Sequence, residues 1–251
     1  MARNDLKGKV VLIAGGAKNL GGLLSKKLAA KGAKVAIHYN SAGTKSDADH
    51  TLAAIQEAGG EAFTFQADLT QVSNITKLFD ETIKKFGGID IAINTAGKVL
   101  KKPFVETTEA EYDSMADINS KLAYFFIQEA GKKLNDNGKV CTIVTSLLAA
   151  FTGYYSTYEG LKAPVEHFTR AAAKEFGERG ISVTAVAPGP MDTPFFYGQE
   201  SEDAVAYHKS ASALGGLTDI KDIAPLVEFL ISDGWWITGQ TIFANGGYTT
   251  R

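Results

Sequence analysis

The chain has 251 residues, of which 45% are hydrophobic and 22% are charged, and its net charge is −2. This composition is typical of a globular protein with a sizeable core, and it argues against the basic surface that nucleic acid or an anionic membrane would need. The single cysteine, Cys141, excludes an intrachain disulfide, and the N-terminal MARNDLKGKV lacks the apolar stretch of a signal peptide. No segment is apolar for long enough to span a bilayer, so we expect a cytoplasmic protein without nucleic-acid or membrane partners.

Seven short segments rich in apolar and β-branched residues predict strands. They are residues 9–14, 33–39, 61–68, 89–94, 139–146, 181–188 and 240–245. Longer segments with helical spacing separate them, and this alternation indicates a parallel sheet because each crossover between parallel strands needs a helix. The strands are apolar on both faces, which indicates burial on both sides. We therefore predict one doubly wound α/β domain over residues 1–251, with a seven-stranded parallel sheet flanked by helices on both faces.

Two of the separating segments have clear helical stripes. In the first, Leu52, Ile55 and Ala58 recur at three-residue spacing and predict its buried face. In the second, residues 72–86 carry an apolar stripe that stops at Gly87, a residue that commonly ends helices.

The first strand runs into a glycine-rich turn, and residues 10–22 read VVLIAGGAKNLGG. In a doubly wound sheet this turn is an anion site, because free backbone N–H groups and the helix dipole point towards it. A tight turn needs glycine with or without a phosphate, so the loop alone leaves both interpretations open. Asn19 stands where such loops usually have glycine, and we predict a positive φ there because asparagine tolerates that conformation.

The end of the second strand indicates which dinucleotide would bind. An NAD site usually has an acid there to bind the ribose 2′-hydroxyl. This chain has Tyr39, Asn40 and Ser41 instead, and its next carboxylate is Asp47. Together with Lys18 these residues would accept a 2′-phosphate, so we predict NADP(H) rather than NAD(H).

A second motif, YEGLK, places Tyr158 and Lys162 four residues apart on one face of a predicted helix. An ammonium beside a phenol lowers the pKa of the phenol from about 10, which suits a general acid near neutral pH. Ser146 ends the preceding predicted strand, at the edge where α/β sheets build their sites. The pair alone is a weak signal, and its context gives it weight.

Taken together, the motifs resemble those of the short-chain dehydrogenases/reductases, and most closely the single-domain NADPH-dependent carbonyl reductases with a Rossmann-type fold. The segments that carry the resemblance, in chain order, are AGGAKNLG, INTAG, DINSK, Ser146, YEGLK, APGPMDT and ITGQTIFANGG. The resemblance extends from residue 7 to residue 247, which is nearly the whole chain.

The resemblance implies a catalytic tetrad of Asn119, Ser146, Tyr158 and Lys162. Tyr158 would donate a proton to the carbonyl oxygen of a ketone or aldehyde while the nicotinamide delivers hydride, and Ser146 would hold that oxygen. Lys162 would bind the nicotinamide ribose and lower the pKa of Tyr158, and Asn119 would position a water. A 3-oxoacyl reductase or a polyol or sugar-alcohol dehydrogenase of the same family is the alternative.

The resemblance also implies a set of cofactor-binding residues. Beside Tyr39, Asn40, Ser41, Tyr158 and Lys162, they are Gly15, Lys18, Asn19, Leu20 and Gly21 at the phosphates, Asp68 and Leu69 at the adenine, Asn94, Ala96 and Gly97 at the adenosine and ribose, and Pro188, Gly189, Met191 and Thr193 at the carboxamide. The histidines show no metal-ligand spacing, so we expect no metal site.

Two departures from the family pattern concern loop rigidity. Ala14 stands where threonine is usual and loses a hydroxyl that braces the glycine loop, and Thr95 replaces the second asparagine of the common NNAG.

Tyr155 offers a rival assignment for the catalytic tyrosine, since its spacing of seven residues from Lys162 is that of the divergent enoyl reductases. A non-catalytic NADP(H) sensor is the remaining alternative, which the complete tetrad disfavours.

Residues 194–216 occupy the position of a substrate lid in related proteins. The aromatic and apolar residues there and near the catalytic motif predict an apolar substrate pocket of Leu148, Tyr154, Phe195, Phe196 and Tyr197, although core packing explains some of them equally well. Related proteins form homotetramers through the helix that contains RAAAKEF and the helix near residues 111–134, and we expect the same here.

Overall fold

The computed structural model describes residues 5–250, and all seven predicted strands form in that part of the chain. They are β1 (Val10–Ala14), β2 (Lys34–Tyr39), β3 (Glu61–Gln66), β4 (Ile91–Asn94), β5 (Lys139–Ile143), β6 (Ser182–Pro188) and β7 (Thr241–Ala244). All six neighbouring pairs are parallel, and the strand order is β3-β2-β1-β4-β5-β6-β7. The prediction of a seven-stranded doubly wound sheet is confirmed.

Helices cover both faces of the sheet. They are α1 (Asn19–Ala30), α2 (Lys45–Glu57), α3 (Val72–Phe86), α4 (Glu109–Ala116), α5 (Leu122–Lys133), α6 (Ser156–Glu175), α7 (Pro194–Tyr197), α8 (Glu202–Ala211) and α9 (Ile220–Leu230). Apolar residues of α1, α2 and α9 pack on one face, and those of α3, α5 and α6 pack on the other. Strand β1 shows the division, because Val11 and Ile13 join the first cluster while Val10 and Leu12 join the second.

The structure corrects two details of the predicted elements. The buried residues of α2 are Ala48, Thr51 and Ile55, whereas Leu52 is half-buried and Ala58 lies exposed beyond the end of the helix. Thr51 was missed because a polar residue carries no hydropathy signal, although its Oγ1 donates to the carbonyl oxygen of Ala17 at 2.7 Å, and Ala48 belongs to the same buried cluster as Ile55. The predicted end of α3 is confirmed, since Gly87 caps it at φ 87°.

The second correction concerns the end of β5. The strand stops at Ile143, and Ser146 begins a 3₁₀ turn rather than ending the strand. The Thr145 hydroxyl accepts a hydrogen bond from the N–H of Leu147 at 3.3 Å and caps that turn. A side-chain cap of this kind draws the backbone out of the extended conformation.

Two further findings hold for the stretch from residue 5 to residue 250. None of its helices combines the length and apolar character that a membrane crossing needs. No cluster of three or more histidine, cysteine, aspartate or glutamate side chains there is arranged to hold a metal ion. Cys141 is fully buried in β5, and burial raises the pKa of its thiol to about 12.

Candidate active site

The glycine loop between β1 and α1 is held in a conformation that few residues adopt. Gly15 has φ 75°, and Asn19, the first residue of α1, has φ 49°, so the predicted positive φ at Asn19 is confirmed. A Cβ atom at Gly21 would lie 2.1 Å from the carbonyl oxygen of Gly15. The loop and the first turn of α1 therefore touch backbone to backbone, which leaves the N-terminus of the helix open to an anion.

Thr95 supplies the hydroxyl that Ala14 lacks. It follows β4, and its Oγ1 donates to the carbonyl oxygens of Ala14 at 2.9 Å and of Gly15 at 3.1 Å. The two departures from the family pattern thus offset each other, because the brace reaches the loop from the neighbouring strand instead of from β1 itself.

His38 also holds the loop, although the sequence analysis considered it only as a metal ligand. Its Nδ1 accepts from the N–H of Gly15 at 3.1 Å, and its Nε2 faces the carbonyl oxygen of Ala67 at 2.8 Å. Burial lowers the pKa of His38 to about 4, against opposing effects of Ala67 and Asp68, so the ring is neutral and Nε2 carries the hydrogen. The available sequence signal for this role was the position of His38, one residue before the carboxyl end of β2, where the glycine loop also lies.

A long cleft runs along the carboxyl ends of β1, β2 and β4, and we call it the dinucleotide cleft. Most of the predicted cofactor residues line it, namely Gly15, Lys18, Asn19, Leu20, Gly21, Tyr39, Asn40, Asp68, Leu69, Ala96, Gly97, Tyr158, Lys162, Met191 and Thr193. Ser41 instead caps a short turn through Thr44, and Asn94 is buried behind the cleft, where its Oδ1 accepts from the N–H of Ala96 at 3.0 Å. Lys18 lies 3.3 Å from Asp47 of α2.

These residues fit a phosphorylated dinucleotide. The glycines leave the backbone bare at the helix N-terminus, and Lys18 adds a cation beside it. A Cβ atom at Gly97 would lie 3.1 Å from both Lys162 Nζ and Asn119 Oδ1, so glycine keeps the floor of the cleft clear at that end.

Asn119, Lys162 and Gly97 come from three separate segments, namely the turn before α5, helix α6 and the loop after β4, and they meet at one end of the cleft. Asn119 lies in a π-helical turn, Asp117–Lys121, between α4 and α5, an irregularity that is common at functional sites. Its side chain accepts from the N–H of Lys98 at 3.2 Å and donates to the carbonyl oxygen of Lys98 at 2.9 Å. Lys162 is buried in α6, and its ammonium donates to the carbonyl oxygen of Ile143 at 2.9 Å.

Tyr158 lies where the dinucleotide cleft meets a second, smaller cavity of about 80 Å³, which we call the substrate cavity. Tyr155 lines only the substrate cavity, and its hydroxyl donates to the Glu200 carboxylate. Of the two tyrosines, only Tyr158 can therefore contact both a molecule bound in the substrate cavity and a group bound in the dinucleotide cleft. The geometry favours the assignment at four-residue spacing from Lys162 over the rival at seven.

A second hydroxyl residue, Thr145, lies with Ser146 at the cavity that Tyr158 lines. The Thr145 side chain acts to lower the pKa of the Tyr158 phenol, and both residues line the substrate cavity. Ser146 also lines the cavity, one residue further along the 3₁₀ turn. The strand ends earlier than predicted, and the turn that follows brings both hydroxyl residues to the cavity, so the catalytic role of Ser146 stays a prediction beside that of Thr145.

The expected direction of the Tyr158 pKa is wrong for the protein without ligand. Burial raises the pKa of Tyr158 to about 12, and the Thr145 side chain offsets only part of this effect. Burial also lowers the pKa of Lys162 to about 8, so its charge is itself weakly held. The phenol consequently keeps its proton throughout the neutral range, which is the form a proton donor needs.

Of the five predicted substrate residues, Phe195 and Phe196 line the substrate cavity. The other three lie elsewhere, which corrects their predicted place. Leu148 packs against the core beside α6, Tyr154 is largely exposed at φ 69°, and the Tyr197 hydroxyl donates to Asp192 at 2.7 Å. The 3₁₀ turn brings Leu147 to the cavity instead of Leu148, and the start of α6 brings Tyr155 instead of Tyr154.

Comparison with known proteins places the chain in a family. Residues 15–249 match the family model described as Enoyl-(Acyl carrier protein) reductase. Hydroxynaphthalene reductase-like protein Arp2 of Metarhizium brunneum is 33% identical over 267 residues, which cover 98% of this chain and 97% of that protein. A short-chain type dehydrogenase/reductase of Picea abies is 33% identical over 253 residues, which cover 96% of this chain and 93% of that protein. The chain belongs to the short-chain dehydrogenase/reductase family.

A solved structure of the same fold gives a closer match. A Burkholderia cenocepacia protein, crystallised with bound NADP, is 64% identical and superposes with a TM-score of 0.97, over 100% of this chain and 97% of that one. The chain is thus an oxidoreductase of the short-chain dehydrogenase/reductase family, as the motifs indicated.

This member of the family has a polar end to its substrate cavity that the sequence analysis missed. Glu200 follows α7, its side chain is 0% exposed, and Lys101 pairs with it at 2.5 Å. His208 of α8 lies 3.7 Å from the same carboxylate. The partners are 99 residues apart in the case of Lys101 and Glu200, so no local sequence pattern could have revealed the cluster.

Proposed function

We propose that the chain is an NADP(H)-dependent carbonyl reductase, which reversibly converts a ketone or aldehyde into an alcohol. The observation that carries the proposal is the position of Tyr158, which lines both the dinucleotide cleft and the substrate cavity. A proton donor at this junction can serve a carbonyl oxygen in the cavity while the reacting carbon faces the cleft.

The cleft supports NADP(H) as the cofactor. The end of β2 carries Tyr39 and Asn40 where an acid would bind the ribose of NAD, and Lys18 lies on the same side of the cleft. The Burkholderia cenocepacia relative was crystallised with NADP bound. The bound nicotinamide supplies the hydride, while the glycine loop would hold the pyrophosphate, Lys18 the 2′-phosphate, and Lys162 the nicotinamide ribose.

The protein's own chemistry in this proposal is proton donation and charge stabilisation. Tyr158 donates its phenolic proton to the carbonyl oxygen as negative charge develops there. The Thr145 hydroxyl, which already acts on the pKa of the phenol, is placed to donate a second hydrogen bond to that oxygen. Lys162 and Asn119, which lie together at Gly97, would then return a proton to Tyr158.

The test is NADPH oxidation by the purified protein with activated ketones, followed spectrophotometrically. We expect turnover with NADPH and a lower kcat/KM with NADH. Tyr158→Phe should lower kcat by about 10²- to 10⁴-fold, the usual contribution of a general acid, without weakening NADPH binding. Tyr155→Phe is the matched control, and full activity in Tyr158→Phe would contradict the proposal. NADPH binding without any turnover would favour the sensor.

Three further expectations accompany the proposal. Residues 194–216, the lid segment, contain α7 and α8 and contribute Phe195, Phe196 and Glu200 to the wall of the cavity, so their ordering would control substrate entry. We propose a homotetramer formed through α5 and α6, and a monomeric mass in light scattering would contradict it. Cytoplasmic location stays a prediction, for which cell fractionation is the test.

A further inference from the structure

The substrate cavity contains a charged cluster that the proposed reduction does not use. The Glu200 carboxylate is removed from solvent, and it accepts from the Tyr155 hydroxyl through Oε1 and from Lys101 through Oε2. Taking a carboxylate out of water costs several kcal/mol before its pairing offsets the loss. Glu200 nevertheless lines the same cavity as Tyr158, whose remaining walls include Phe195 and Phe196.

His208 faces this carboxylate across a gap. Its Nε2 is 3.7 Å from Glu200 Oε2, which is longer than a hydrogen bond. Its Nδ1 lies 2.8 Å from the Tyr248 hydroxyl. If that phenol donates to Nδ1, the hydrogen of the ring lies on Nε2, the ring nitrogen on the side of Glu200. Burial lowers the pKa of His208, and the effect of Glu200 opposes this only in part. The ring is therefore neutral near pH 7.

The ring of His208 is also fixed in place. It packs edge to face on Phe196, with the ring centres 5.4 Å apart, and lies 5.7 Å from the Tyr248 ring. In this tautomer the cavity presents a donor and an acceptor side by side, with 3.7 Å between Nε2 and Oε2.

A hydroxyl group fits this pair better than any other small polar group. One oxygen at about 2.8 Å from both atoms can accept from His208 Nε2–H and donate to Glu200 Oε2. A carbonyl oxygen in the same place would lie against the carboxylate oxygen with no hydrogen between them, and an ammonium would leave the Nε2–H of His208 without an acceptor.

We propose that the substrate is a hydroxylated ketone or aldehyde, whose hydroxyl on a carbon other than the reacting one bridges His208 and Glu200. The proposal rests on the proposed function, because it takes Tyr158 as the group that meets the carbonyl. The bridging hydroxyl is bound and not changed chemically, so it acts on substrate choice and orientation.

The experiment compares matched ketones that differ only in the bridging group. The probes are 3- and 4-hydroxycyclohexanone against 3- and 4-methylcyclohexanone, with kcat/KM measured from NADPH oxidation. We expect at least one hydroxyketone to be preferred by about 10-fold or more, since a site built to bond a hydroxyl rejects analogues that lack it. Dissociation constants of the enzyme–NADP⁺ complex for the corresponding diols and methylcyclohexanols give the same comparison without turnover.

His208→Phe keeps the ring and removes the donor, and it should reduce the preference to 3-fold or less while the methyl ketone is still turned over. His208→Gln restores a donor and should recover part of the preference. The matched control is Tyr207→Phe, the exposed neighbour on α8, which should leave the preference unchanged.

Three results would overturn or separate the claims. Equal kcat/KM values for the hydroxy and methyl ketones in the wild-type protein would overturn the inference, since the pair would then bind only water. The proposed function would still stand. A preference that survives His208→Phe would also overturn the inference. No turnover of any of the four ketones would count against the proposed function, while the binding comparison would still decide the inference.

Discussion

The dinucleotide cleft and the substrate cavity meet at Tyr158, yet the chain builds them in opposite ways. The cleft is made of backbone that follows β1, β2 and β4, and its key contact, Gly21 on Gly15, joins residues six positions apart. The cavity depends on side chains brought from distant segments, such as Lys101 on Glu200 and His208 on Tyr248. The turn of the glycine loop is thus built from neighbouring residues, with Thr95 and His38 as braces from other strands, whereas the polar end of the cavity is built by tertiary contacts alone.

The largest expected effect is on kcat, from a substitution beside Tyr158, where the cleft and the cavity meet. Thr145→Val keeps the shape of the side chain and removes the hydroxyl that acts on the pKa of Tyr158, so it should lower kcat by about 10²- to 10³-fold, the usual effect of losing one oxyanion donor. Ser146→Ala should change kcat by less than about 5-fold. Steady-state kinetics decide between them, and a larger loss in the Ser146 variant would return the role to that residue.

The cleft is tested by filling its closest backbone approach. Gly21→Ala places a methyl group against the Gly15 carbonyl and should cost about 1–3 kcal/mol, which is roughly 5- to 150-fold in the NADPH dissociation constant if the loop moves. Gly43→Ala is the control, because its added Cβ would meet only Ser41 Oγ, at 3.6 Å. Fluorescence titration with NADPH measures both, and unchanged binding in Gly21→Ala would contradict the local construction of the cleft.

His38 makes the stability of the cleft depend on pH. Its folded pKa of about 4 lies below its unfolded value of 6.5, so its contribution is complete above pH 6.5 and is lost as the pH falls towards and through 4. Between pH 7.5 and 5.0 the wild-type protein should lose about 2 kcal/mol more unfolding free energy than His38→Leu, which cannot titrate. Urea denaturation at the two pH values is the measurement, and equal losses would show that the ring is not held neutral.

The smallest effect concerns cofactor choice at the open end of the cleft. Lys18→Met should raise the NADPH dissociation constant by about 10-fold and leave that of NADH unchanged. Asp47→Asn frees Lys18 from its exposed partner and should tighten NADPH binding by up to about 5-fold, because such pairs are weak. Asp49→Asn, which frees Lys45 instead, is the control. Equal effects on NADH and NADPH would contradict a role in 2′-phosphate recognition.

The sequence predicted the positions that depend on neighbouring residues. The alternation of strands and helices gave the sheet, and the glycine loop with Asn19 at positive φ followed from the steric limits on single residues. The one-face pairing of Tyr158 and Lys162 followed from helix periodicity. Each of these rests on geometry within a few residues, and for that reason it could be read from the chain.

A difference of a few residues in where β5 ends was enough to make the predicted cavity residues near it wrong. Because β5 ends at Ile143 and a capped 3₁₀ turn follows, Thr145 joins Ser146 at the cavity, and Leu147 enters the cavity in place of Leu148. The sequence showed two adjacent leucines, and only the course of the turn decided which of them faces the cavity.

By itself, then, the sequence determined the fold, the glycine loop and the shared helix face of Tyr158 and Lys162, because periodicity and backbone sterics act over short distances. Only the tertiary structure decided how Thr95 braces the loop that Ala14 leaves unsupported, how His38 is kept neutral, and how Glu200, Lys101 and His208 form a buried polar end to the cavity. The physical reason is that hydrogen bonds and burial depend on which segments the sheet brings side by side, and these segments lie tens of residues apart in the chain.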